Sequence, residues 1–255
     1  MRKVFVNFDD PFSPAKRAEM RAEILRDGLL ADKFLANDPD VPAFGLNLAC
    51  AWPFPEVWRA SYERMAHRLS ALGPWIYVYP FPFTHVTLVT FASFARHTRP
   101  TAEIVKALKE KLPAITDALA PLFTEGSPER IKPFTLRPQS PVLARGAGIL
   151  PLLNPDDEVA RLRQRTVELL QRNETLHREL TERGLNVPGI IHSTVMRFRQ
   201  PPPDLEKFLA TFDEIAAETK FPPMEVGEIL LTSETKPYMR SGEVLRRLTL
   251  TSGSP

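Results

Sequence analysis

Two apolar, β-branched runs, FPFTHVTLVTF (81–91) and PGIIHSTVMRF (188–198), each hold one histidine in mid-run with a threonine two residues later. Such runs read as largely buried strands, and they fall at corresponding points of a repeating order of elements. The first half reads strand (Ala43–Cys50), helix, strand (WIYVYP), histidine-bearing strand, helix, strand; the second reads strand, helix, histidine-bearing strand, helix, strand. A chain patterned in this way is constrained to build two similar layers, each presenting one histidine strand.

The helices follow from apolar spacing and end signals. After Pro55 the stripe Trp58, Tyr62, Met65, Leu69, Leu72 predicts a helix that stops at Gly73-Pro74. A helix is predicted from Thr101 to about Leu122, broken or bent at Pro113. Another starts with Asp156 as its N-cap and runs through Val159, Leu162, Leu169, Leu176 and Leu180 to Gly184. Asp204 to about Thr219 forms the next, with Leu205, Phe208, Phe212 and Ile215 on one face. FTLRP and PVLARGAGILPLL supply strands between the halves, and MEVGEILLTSE with GEVLRRLTL closes the chain as a pair of strands around a loop at Lys236–Ser241.

Alternating helices and strands could form a parallel doubly wound sheet. The sequence has neither a G-x-G-x-x-G turn nor a P-loop, and its hairpin-like C-terminus favours antiparallel pairing. The expected fold is α+β: two pseudo-symmetric lobes with antiparallel or mixed sheets, flanked by helices, around a central cleft. Residues 43–255 then make one bilobal domain, with lobes of roughly 43–139 and 140–255 between which strands can cross over. Residues 1–42, with a helical stretch that stops at Gly28, form an N-terminal extension.

Side chains at i and i+2 of a strand share a face. His85 therefore stands beside Thr87, and His192 beside Thr194. Two imidazoles and two hydroxyls around one cleft suit phosphodiester chemistry. A neutral imidazole accepts a proton from water or a hydroxyl, and a protonated one donates to the leaving oxygen. The hydroxyls can donate to non-bridging phosphate oxygens, where charge builds. A metal reading needs at least one further ligand, and no Asp or Glu sits near either motif in sequence, so no cofactor is expected.

The paired motifs HVTL (His85–Leu88) and HSTV (His192–Val195), one in each half of a duplicated α+β chain, resemble those of the 2H phosphoesterase superfamily, whose members include LigT-like 2′-5′ RNA ligases and cyclic phosphodiesterases. The likeness covers about Phe44 to Leu250 and does not assign a subfamily. It implies a bilobal fold with both motif strands lining the cleft, and metal-independent chemistry at a ribose 2′ or 3′ phosphodiester, often a 2′,3′-cyclic phosphate. His85, Thr87, His192 and Thr194 carry over directly as catalytic residues. Arg197 matches a basic residue three positions after the second threonine that helps to hold the phosphate, although strict alternation puts it on the face opposite His192. The corresponding position after the first motif, often aromatic, is Thr90 here. A nucleotide or RNA with a cyclic phosphate or a 2′/3′ phosphodiester is the implied ligand. A non-catalytic nucleotide or RNA-end sensor, and a ligase- or exonuclease-like enzyme on longer RNA, remain open.

Composition narrows the setting. The 255 residues carry 33 basic and 31 acidic side chains, a net charge of +2, too balanced to imply a duplex-binding surface or a polybasic membrane patch. No run approaches the ~18–20 apolar residues of a membrane span, and no signal-peptide pattern opens the chain. Cys50 is the only cysteine. The expectation is a cytoplasmic protein, monomeric or weakly associating, with Cys50 a buried small hydrophobe. His67, His97 and His177 read as structural or solvated, the aromatics of WPFPEVW and PWIYVYPFPF as core, and RIKPFTLRP as a solvated edge strand. Tyr238, in the C-terminal loop, is a candidate to cover a bound substrate.

Overall fold

The computed structural model describes residues 12–37, 44–93 and 102–251. In chain order its elements are α1 (Pro14–Asp27), α2 (Lys33–Asn37), β1 (Gly45–Cys50), α3 (Arg59–Ser70), β2 (Ile76–Val78), β3 (Val86–Ala92), α4 (Ala102–Glu110), α5 (Leu112–Leu119), β4 (Phe134–Pro138), β5 (Val142–Ala144), β6 (Ala147–Leu153), α6 (Glu158–Gln171), α7 (Glu174–Glu182), β7 (His192–Phe198), α8 (Leu205–Glu218), β8 (Met224–Val226), β9 (Glu228–Glu234) and β10 (Gly242–Thr249). His97 and the start of the first predicted strand at Ala43 lie outside the described residues.

Every strand pair is antiparallel, and the strands fall into two sheets of orders β10-β9-β1-β3 and β2-β7-β6-β4-β8, with β5 pairing β6. The architecture is thus mixed α+β with antiparallel sheets flanked by helices. The sheets exchange strands between the chain halves: β9 and β10 complete the sheet of β1 and β3, while β2 joins β7. Each sheet therefore holds one histidine strand, β3 or β7, and these two strands approach each other where the sheets meet.

Several elements depart from their predicted form for local reasons. Pro55 precedes a short 3-10 turn, Glu56–Trp58, before α3 begins at Arg59. Trp58, Tyr62, Met65 and Leu69 are buried as their spacing implied. The helix expected from Asp156 to Gly184 is two helices. Its first residue is Glu158, the Val159 N–H is met by the Asn154 side chain, and Asn173 interrupts the run by accepting from the Leu176 N–H as the cap of α7. Asn favours caps because its side chain competes for backbone donors. The stretch at Phe134–Pro138 is an interior strand rather than an edge, since β4 pairs both β6 and β8.

One continuous core runs through the molecule and includes β1, β3, α3, α6 and α8. Cys50 is fully buried within it. The N-terminal segment is docked onto the body: the Asp32 N–H donates to the Phe198 carbonyl, and the Leu30 N–H to that of Arg145. No helix among the described residues is long and apolar enough to cross a membrane.

Candidate active site

On β7 the part-exposed residues are His192, Thr194 and Arg197, while Ser193, Val195, Met196 and Phe198 are buried. Strict alternation cannot produce that pattern. Thr194 pairs with Ile149 and Met196 with Gly148, so Val195 has no partner of its own on β6. This β-bulge shifts the side-chain phase by one residue and turns Arg197 to the same face as His192. Gly148 makes room for the bulged segment: a Cβ there would lie 2.5 Å from Met196 Cγ.

The first motif repeats the device. Against β1, Ala49 pairs with Thr87 and Leu48 with Val89, leaving Leu88 as the extra residue. Thr87 and Thr90 are the part-exposed positions of β3, and His85, just before the strand, is half-buried beside them. Thr90 thus holds the place that Arg197 holds on β7. Its backbone is bridged by Asn186, through Thr90 N–H to Asn186 O at 2.9 Å and Asn186 N–H to Thr90 O at 2.8 Å.

Both histidines are set to be neutral. His85 Nδ1 lies 2.9 Å from the carbonyl of Phe83, which fixes that nitrogen as the donor and leaves Nε2 for chemistry. Burial lowers the His85 pKa against the pull of that bond, and the Arg197 charge lowers it further. His192 is pushed down to about 4, mainly by burial; the Ile190 carbonyl opposes this, and Arg163, Arg197 and His85 add to it. Its Nδ1 is buried without a well-aligned partner. His85 thus contributes to the lowering of His192, and Arg197 lowers both imidazoles.

Arg197 is held from three directions. Its Nε donates to the Tyr79 hydroxyl at 3.3 Å, its Nη1 to Asp32 Oδ2 at 3.2 Å, and its guanidinium lies 4.7 Å from the centre of the Tyr238 ring. Burial works against the charge, but the tyrosines and Asp32 outweigh it and raise the Arg197 pKa. Tyr238 is buried, with φ +68°, and its hydroxyl donates to Asp32. It therefore supports the arginine from one side. Asp32 is fixed in turn, because its Oδ1 accepts from the N–H groups of Phe34 and Leu35 at the start of α2.

Asp32 and Tyr79 are site residues that the motif reading missed. Asp32 lies in the segment outside the family likeness; its sequence signal is a helix-capping aspartate ahead of KFLAN. Tyr79 belongs to the aromatics that read as core, and it is buried, but its hydroxyl faces the site. Of the other histidines, His67 is exposed on α3 and His177 part-exposed on α7. No cluster of three His, Cys, Asp or Glu side chains among the described residues is arranged to hold a metal ion.

No protein-family model and no curated protein matches the chain. Among solved structures, TT0787 of Thermus thermophilus superposes with a TM-score of 0.56 at 19% identity, covering 83% of this chain and 100% of that one. That likeness shows a shared fold. E. coli LigT complexed with phosphate aligns at 17% identity over 83% of this chain and 99% of its own, with a TM-score of 0.43. The MHV ns2 PDE domain aligns at 17% identity over 60% and 83%, with a TM-score of 0.33.

Proposed function

We propose that the chain is a 2H phosphoesterase: a metal-independent enzyme that hydrolyses a ribose phosphodiester, a 2′,3′-cyclic phosphate or an RNA end, by general acid and base catalysis from two histidines. The observation that carries this reading is the pair of matching bulges. They turn His85, Thr87 and Thr90 on one strand, and His192, Thr194 and Arg197 on the other, to part-exposed faces of adjoining strands. A buried structural histidine needs no such arrangement in duplicate.

In this reading Arg197 and the two threonine hydroxyls hold the non-bridging oxygens, where negative charge grows as water attacks phosphorus. His192, held neutral by burial with the positive charges of Arg163 and Arg197 near it, takes the proton from the attacking water. His85 gives a proton to the departing ribose oxygen, and its bond to the Phe83 carbonyl persists in and favours the protonated ring. The product is a phosphomonoester and a free ribose hydroxyl. An anion between the two rings raises both pKa values, which supplies the proton that His85 must carry.

The test is phosphorus NMR on a panel of cyclic phosphates and short RNAs, with EDTA present. Hydrolysis that survives EDTA, with a bell-shaped pH profile, is expected. His85→Ala and His192→Ala should each lower kcat by about 10²–10⁴-fold while the fold is kept. Full activity in either variant rejects the assignment. Binding without turnover in the unmodified protein replaces it with a nucleotide or RNA-end sensor.

A further inference from the structure

Helix α6 buries Val159, Leu162, Thr166, Leu169 and Leu170 against the core, with Glu158 at its first position and one arginine among them. Arg163 is 6% exposed. Its Nε donates to the Leu88 carbonyl and its Nη2 to the Ile190 carbonyl, both at 3.0 Å. Leu88 is the extra residue of the first bulge and directly follows Thr87. Ile190 lies two residues before His192. One guanidinium therefore ties β3 to the bend that leads into β7.

Among the described residues no carboxylate acts on this charge, and the buried Glu158 of the same helix pairs with Arg161 instead. The group that acts on Arg163 is Cys50, whose thiol is kept neutral by burial and pushed up to about 12. Burial lowers Arg163 to about 10, so it stays charged at neutral pH. Burying a cation without an anionic partner is unfavourable, and a neutral donor could satisfy either carbonyl without that cost. What the cation adds is a fixed positive field behind the site. Among the described residues the charged or titratable groups acting on His192 are His85, Arg197 on its own strand and Arg163 from α6, with no carboxylate among them.

We infer that Arg163 is a positioning residue for the proposed reaction, which sets the spacing of His85 and His192 by gripping the carbonyls of Leu88 and Ile190 and holds a permanent positive charge behind the phosphate. This rests on the two-histidine reading. Arg163 does not touch the substrate; it acts through the two strands and through space. Lysine keeps the charge but cannot span two carbonyls with a rigid fork. Glutamine keeps donors without charge, and methionine keeps neither.

The experiment is an NMR titration of the histidine Cε1–H signals in the full chain without substrate, for the wild type and for Arg163→Lys, Arg163→Gln and Arg163→Met. Removal of the cation should raise the His192 titration by about one pH unit in the Gln and Met variants, and Lys should leave it in place. On a cyclic phosphate, kcat should fall at least ~10-fold in all three, Lys included, because the spacing is lost even where the charge is kept. An unmoved His192 titration in a folded Gln or Met variant overturns the inference and leaves Arg163 a plain strut. If only the Lys variant folds, unchanged kcat overturns it and a loss of kcat supports it. If the wild type hydrolyses no phosphodiester, the enzymatic reading fails, while the titration still decides whether Arg163 sets the histidine.

Discussion

The guanidinium of Arg197 lies 4.7 Å from the centre of the Tyr238 ring, and both side chains converge on the same carboxylate oxygen of Asp32. Three distant parts of the sequence meet there: the N-terminal segment, β7 and the turn before β10. The arginine is not a free surface cation that swings toward a ligand. It is a fixed charge, oriented by a ring below it and an acceptor beside it, so little rotamer entropy remains to be lost on binding.

Removal of the Asp32 carboxylate should therefore cost both stability and affinity. Asp32→Ala leaves Arg197 and the Tyr238 hydroxyl without their shared acceptor and uncaps α2. A loss of about 2–4 kcal/mol is expected, together with a KM raised about 10-fold and a smaller change in kcat. Chemical denaturation and steady-state kinetics measure the two effects. Wild-type KM in a destabilised but folded variant would show that Arg197 needs no such support.

Arg197→Lys separates charge from shape. An ammonium keeps the positive charge but cannot donate to Tyr79 and Asp32 in the geometry of the guanidinium. The expected result is a KM increase of about 10-fold, with the fold kept and a stability loss of about 1–2 kcal/mol as Tyr79 and Asp32 lose their aligned donor. Equal KM values for the two proteins would mean that the charge alone matters.

How much of this could be read from the sequence follows from which interactions are local. The period-two and helical patterns identify nearly every element, and the i, i+2 rule pairs each histidine with its threonine because one strand settles that question alone. Arg197 was legible only as a likeness: its face depends on the bulge at Val195, which arises from pairing with Ile149 and Gly148 on another strand. Asp32 was invisible as a site residue for the same reason, since its partners Arg197 and Tyr238 lie far away in sequence. Arg163 left a clue, a charged residue four after Val159 and seven before Leu170 on a buried stripe. The split of the long helix at Asn173 is a local capping effect that a leucine stripe conceals.

Glu234 gives the protein an unusual pH response. The residue is 5% exposed on β9, between Gly45 and Gly242 on the neighbouring strands, and a Cβ at Gly45 would come within 2.5 Å of its Oε1. Burial raises its pKa to about 7, against the opposing pull of the Met239 N–H, the Asn47 side chain and Arg197. The folded protein therefore holds this proton up to about pH 7, whereas the unfolded chain releases it near 4.5. The resulting stability is present below pH 4.5 and is lost as pH rises through 7, on the order of 3 kcal/mol in all. His192 acts in the opposite sense. Its lowered pKa gives stability that is present above 6.5 and lost as pH falls toward 4. The two slopes oppose each other and largely cancel between about pH 4.5 and 6.5, and above pH 6.5 that of Glu234 is the larger. Glu234→Gln keeps a carbonyl for the Met239 N–H and removes the titration. Denaturation midpoints from pH 5 to 8 should then show the wild type losing stability between pH 6.5 and 8, with the variant nearly flat across that interval and falling more steeply below it. Parallel curves for the two proteins would place the buried proton elsewhere.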